Sequence, residues 1–287
     1  MASARSNQHF MDWFTQQWNI ILGRKLDTEK DNWLLGPFGK EGGIGEKMIH
    51  QLAEHENLTI QRDHQNAGLI PNFKDLALSE AKISQIDSKI IDFYQNTSNY
   101  DLQLKVKWNP FFKPFGYLVS RIFSQRINQL NIPLKNYSAN QDLSSEIIQL
   151  INPETNQIKY TIWLRKFKST GQVIYSGIYG LCTNPMGKTF VKANFPLPNG
   201  SATVILEPII GSNQSFILRS KGKRFDDAGF YFLLHDQKHQ KWSQYLPSFS
   251  DELTLSTKND SISAVQILKL WGLKVVQFDY RIVNKKL

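Results

Sequence analysis

The chain has 287 residues, with 34 Lys+Arg against 25 Asp+Glu and a formal net charge of +9. Hydrophobic residues make up 41% and charged residues 21%, which supplies a packed core and excludes wholesale disorder. The single cysteine, Cys182, excludes an internal disulfide and a cysteine-based zinc cage. No apolar run reaches the roughly 18 residues of a membrane-spanning helix. The polar N-terminus predicts no secretory leader, so the expected location is cytoplasmic, with peripheral membrane contact as an extension.

The N-terminal third reads as helical. Phe10, Phe14, Trp18 and Leu22 recur every four residues, widened by Met11 and Ile21. A short segment over 28–35 stops at Gly36-Pro37. Ile44, Met48, Ile49 and Leu52 make another helical face, and Ile83, Ile86, Ile90, Phe93 and Tyr94 a further one over 78–95. Residues 61–74 read as a loop. At residue 101 the period changes. Leu102, Leu104, Val106 and Trp108 alternate with Gln103, Lys105 and Lys107, as a half-buried strand does. A basic amphipathic helix is expected from Phe115 to Leu130, closed by Pro133.

Beyond about residue 144 the pattern is strand and turn. Strands are predicted over 158–165, 173–181, 190–195, 202–206, 215–219, 230–234 and 253–256, then over 262–282 with a break at Gly272. Asn199-Gly200 is a hairpin signal, since both residues tolerate positive φ. The expected fold class is α+β: helices in 1–100 packed on a large curved antiparallel sheet or partial barrel over 101–287, the two forming one compact unit. Tyr160, Tyr175, Tyr179, Phe190, Phe216, Phe230 and Phe232 are the expected inward aromatics.

Few motifs carry chemistry. The glycine-rich run Gly36 to Lys47 lacks both phosphate-binding patterns and reads as a turn. His235 and His239 flank Asp236 at helical metal-ligand spacing, but they follow a strand and read as a hairpin loop. His50 and His55 fall on different sides of one helix. Cys182 reads as a small buried hydrophobe, and Ser201 as turn chemistry. Neither a metal site nor a cofactor is expected. Arg224, Asp226, Asp227 and His235 are the candidate catalytic groups, the first three clustered between two strands.

Charge is uneven: residues 144–287 hold 18 basic and 10 acidic side chains, whereas residues 1–143 hold 16 and 15. Two stretches, 102–141 and 155–206, contain no acid, which favours anionic partners. The first joins its lysines and arginines to the aromatic run Trp108, Phe111, Phe112, Phe115 and Tyr117. That combination suits an interfacial membrane segment or the mouth of an apolar cavity. No nucleic-acid-binding signature occurs.

The leading functional expectation is binding of an apolar or amphipathic, lipid-like small molecule between sheet and helices. Trp108, Phe111, Phe112, Phe115, Tyr117, Tyr160, Tyr175 and Tyr179 are its candidate contacts. Lys113, Arg121 and Arg126 are expected to face an anionic membrane. The alternatives are an enzyme acting on such a ligand, and a protein–protein module. Sequence leaves the oligomeric state open.

Overall fold

The structure is a computed structural model, and it describes residues 21–39, 46–62, 64–112, 137–197, 199–259 and 261–285. The described residues form fourteen strands: β1 (Arg24–Lys25), β2 (Thr59–Arg62), β3 (Tyr100–Trp108), β4 (Tyr137–Ile151), β5 (Ile158–Phe167), β6 (Val173–Thr183), β7 (Thr189–Leu197), β8 (Gly200–Ile210), β9 (Phe216–Ser220), β10 (Gly229–His235), β11 (Lys241–Leu246), β12 (Phe249–Lys258), β13 (Ser261–Leu270) and β14 (Leu273–Asn284). Helices are α1 (Glu46–His55), α2 (Glu80–Ile83) and α3 (Ser88–Gln95), with 3-10 turns at Asn32–Leu34, Phe73–Leu76, Thr97–Asn99 and Pro110–Phe112.

Ten of the strands close a barrel in the order β8-β7-β6-β5-β4-β3-β14-β13-β12-β9, with β9 returning to β8. Every pairing is antiparallel. Closure removes the exposed edges that a long open sheet would leave. It is possible because β8 is shared along its length: Gly200 to Ile205 pair with β10, and Glu207 to Ile210 pair with β9. β10, β11 and β1 therefore form a flap outside the ring.

The α+β expectation is thus corrected to a mostly β fold in which 52% of residues are strand. The helical third is present only in part among the described residues: Met48, Ile49 and Leu52 of the expected face lie in α1. Residues 28–35 give only the turn at Asn32–Leu34, and the expected loop 61–74 begins inside β2, which adds to β4. The helix expected over 78–95 is broken into α2 and α3. Asp87 causes the restart: its carboxylate accepts from Lys89 N at 2.9 Å, an N-cap. β11, which sequence reading missed, pairs with β10 through a turn built on Asp236. The stripe Phe10 to Trp18, residues 40–45 of the glycine run and the amphipathic helix 115–130 lie outside the described residues.

The barrel wall is covered on both sides. Inside, α3 and the segment before it form a plug: Ile70, Phe73, Leu76, Ile90, Phe93 and Tyr94 join the luminal core. Gly68 permits the close approach, since a Cβ there would lie 2.2 Å from Gln95 O and 2.4 Å from Tyr94 O. Outside, Met48, Ile49, Leu52 and Ala53 of α1 pack on Ile148, Leu150, Ile162, Leu164 and Ile178. A second outer cluster seats Trp33 and Leu34 against Phe190, Ile205, Tyr231 and Leu233.

This double cover inverts the reading of β5. Tyr160, Ile162 and Leu164 face α1 on the outside, while Trp163 and Arg165 face the lumen. A period of two marks two faces and does not say which is central. Phe190 is likewise corrected to the outer face. Tyr175, Tyr179 and Phe216 do face inward, as does the buried face Leu102, Leu104, Val106 and Trp108 of β3.

Candidate functional site: a polar cluster in the barrel lumen

A ring of roughly eight strands is just filled by its own side chains, so ten leave more room. Here the plug takes most of it. What remains is a cavity of about 90 Å³. Its walls are mostly apolar, including Leu102, Val191, Val204, Leu218 and Leu255, with Phe93 and Tyr94 of the plug closing one side.

Polar groups enter this lumen from opposite walls. β5 supplies Arg165, and β12, half-way round the ring, supplies Asp251. Both are buried, at 6% and 7% exposure. The Arg165 guanidinium lies over the rings of Trp163 (4.0 Å to the centroid) and Tyr175 (4.5 Å). Its Nη2 donates to the Tyr179 hydroxyl at 3.1 Å. Across the cavity, Gln266 Nε2 donates to Asp251 Oδ2 at 2.7 Å, and Tyr280 OH donates to Gln266 Oε1 at 3.3 Å.

The two charges do not form an ion pair. Arg165 Nε and Asp251 Oδ1 are buried with no hydrogen-bond partner. Such orphans are costly and rare in folded proteins. Burial pushes the Asp251 carboxyl up to about 7, against the lowering effects of the Gln266 hydrogen bond and the Arg165 charge. Burial likewise raises the hydroxyls of Tyr175, Tyr179 and Tyr280, which stay neutral donors and acceptors.

Of the candidate contacts named from sequence, Tyr175 and Tyr179 line the cavity. Tyr160 lies on the outer face, its hydroxyl donating to Glu56 Oε1 at 3.2 Å. Trp108 and Phe112 are buried core residues off the cavity, and Phe111 is 81% exposed. Phe115, Tyr117, Lys113, Arg121 and Arg126 lie outside the described residues.

The candidate catalytic residues do not come together. Asp227 Oδ2 caps its own loop, accepting from Lys223 N at 2.9 Å and Arg224 N at 3.2 Å. Asp226 lies 3.7 Å from the Arg24 guanidinium, and Arg224 Nη2 is 3.9 Å from Met186 Sδ. His235 sits at the far end of β10, its ring 4.4 Å from that of Phe38. It borders an outer groove with His55 and Lys241. None of the four lines the lumen. Asp236 accepts from Lys238 N, Gln240 N and Trp242 Nε1, which makes it the cap of a hairpin turn. Cys182 is buried on the outer side, and burial pushes its thiol up to about 11.

Arg165 and Lys192 belong to the acid-free stretch 155–206. Arg165 is buried and Lys192 half-buried. Lys192 Nζ donates to Trp33 O at 3.1 Å and Leu35 O at 2.7 Å, clasping the N-terminal segment to the outer wall. Burial lowers its pKa.

No family model matches this chain, and no solved structure matches it. Over 272 residues, 93% of the chain, it is 22% identical to YndJ of Bacillus subtilis (strain 168), described as an uncharacterised membrane protein. The match covers 46% of that relative, so the chain spans about half its length. This similarity overturns the expectation of a cytoplasmic location. Among the described residues, no helix is long and apolar enough to cross a membrane.

Proposed function

We propose that the barrel binds one small amphipathic molecule in its lumen. The observation that carries this reading is a luminal cavity lined by both Arg165 and Asp251, two buried ionisable side chains that leave a donor and an acceptor atom unmatched. A solid core has no reason to keep them. The volume sets the ligand's size. It exceeds the roughly 10–15 Å³ that one water needs, and falls well below the roughly 300–1,000 Å³ of pockets enclosing drug-sized ligands. A short-chain molecule with one polar head suits it, and a long acyl chain does not. Native mass spectrometry of the protein titrated with butyric acid is expected to show one bound molecule per chain. No adduct at millimolar ligand contradicts the reading.

A second reading concerns the opposite end of the barrel from the plug, where the chain meets an anionic membrane surface. The turn between β13 and β14 is Trp271-Gly272, with φ of 49° and 79°. Asn-Gly is the favoured pair in such a turn, and a bulky residue there carries a backbone cost. Yet Trp271 is 72% exposed and recovers nothing by packing. Leu273 beside it is exposed, as is Phe111 on the neighbouring turn, which Asn109 ties to Lys274 O at 2.9 Å. The strands entering this rim, 102–112 and 261–278, carry Lys105, Lys107, Lys269 and Lys274 and no acid. Lys107 is engaged by Asp279 at 2.7 Å. Apolar tips ringed by lysines suit an interfacial contact, and the similarity to a protein described as a membrane protein supports it. Co-sedimentation with vesicles is expected to require anionic lipid, weaken with salt, and fall about tenfold for Trp271→Ser, the loss of roughly 1.5 kcal/mol of apolar burial. Absence of binding at low salt overturns it.

A further inference from the structure

Resting on the luminal reading, we propose that the ligand's polar head is a carboxylate, held by Arg165 on one side and by the Asp251 carboxyl on the other. The guanidinium is already oriented. It lies over the rings of Trp163 and Tyr175, Nη2 is fixed on the Tyr179 hydroxyl, and Nε is buried at the cavity wall with no hydrogen-bond partner. A planar fork of donors matches a carboxylate in geometry and charge. Among the described residues, no carboxylate forms an ion pair with this guanidinium. The one acid in the lumen, Asp251, keeps Oδ2 on Gln266 and leaves Oδ1 unmatched.

Two carboxyl groups share one space only if one of them is neutral, because adjacent like charges cannot both ionise. Asp251 is suited to be that one. Its surroundings are apolar apart from Arg165, Gln266, Glu252 and the hydroxyls of Tyr175, Tyr179 and Tyr280. A neutral Asp251 donates its proton toward one ligand oxygen while Arg165 donates to the other. Binding therefore includes uptake of a proton wherever Asp251 is ionised in the free protein. An ammonium head is repelled by the guanidinium, and a neutral amide gains no charge pairing from it. The site selects a small monocarboxylate.

The test compares butyrate with butyramide by isothermal titration calorimetry, on wild type, Arg165→Met and Asp251→Asn. Near pH 6 butyrate is expected to bind wild type at least tenfold more tightly than butyramide. Arg165→Met should remove that preference. Above pH 7 butyrate affinity should fall by up to tenfold per pH unit as Asp251 ionises, and Asp251→Asn should flatten this dependence. If Arg165→Met does not fold, the pH profile and its flattening still decide the matter. Equal affinity for the two ligands, or a flat wild-type profile, overturns the carboxylate assignment and leaves luminal binding standing. Binding of neither overturns both.

Discussion

At pH 8 Asp251→Asn is expected to be more stable than wild type, by up to about 4 kcal/mol. Asp251 is held near 7 in the fold, against about 3.9 in an unfolded chain. Between those values the folded state binds a proton that the unfolded state has released. Wild-type stability therefore falls as pH rises through this window, and the penalty is complete above pH 7. About three units of separation at roughly 1.36 kcal/mol each set the ceiling. Asparagine does not titrate, and its carbonyl still accepts from Gln266. Near pH 4 the two proteins should differ little, and the gap should open between pH 4 and 7. Urea denaturation across that range measures it. Parallel stability curves would show that the lumen is as wet as bulk solvent and that Asp251 is an ordinary surface-like acid.

Phe93→Ala is expected to cost about 3–5 kcal/mol, the range for removing a large buried ring. Phe93 is the centre of the plug. Its ring lies 5.4 Å from that of Tyr100 and 6.3 Å from that of Trp163, both edge-on. It therefore joins α3 to the barrel wall and to the aromatic platform under Arg165. Two polar ties hold the same helix: Asp87 accepts from Thr257 Oγ1 at 2.5 Å, and Asp92 accepts from the Tyr100 hydroxyl. These fix the helix but supply little apolar burial, so they cannot replace the ring. Phe111→Ala, which removes an exposed ring, should stay within about 0.5 kcal/mol of wild type. Equal losses for the two variants, measured by chemical denaturation, would mean that α3 does not plug the barrel.

The strands other than β1, β2, β4 and β11 were legible because each carries its own alternation and its own turn chemistry. The burial of Leu102, Leu104, Val106 and Trp108 follows from the pattern alone. The break at Gly272 follows from its need for positive φ. Closure was not legible, since it depends on β8 dividing one edge between β9 and β10, a fact about partners and not about any single strand. Nor was the phase of β5, because α1 gives the outer face an apolar cover of its own. That error hid the candidate site. Arg165 was absorbed into the acid-free stretch 155–206, although it shares a strand face with Trp163. Asp251 fell just before the strand as predicted, yet it is in phase with Leu253 and Leu255. Gln266 is in phase with Ala264 and Leu268, and Tyr280 with Phe278 and Ile282. Four polar residues in phase with buried apolar rows are a signal, but only once the rows are known to face each other.

The lumen, and no outer surface, is the proposed ligand site. NMR chemical-shift mapping of the wild-type protein during titration with butyrate tests it most directly. Shifts should concentrate at the Trp163 indole N–H, the Arg165 Nε–H and the rings of Tyr175, Tyr179 and Tyr280. They should saturate together at one ligand per chain. Shifts confined to the outer groove, at His55, His235 and Phe38, with the Trp163 and Arg165 signals unmoved, would contradict it.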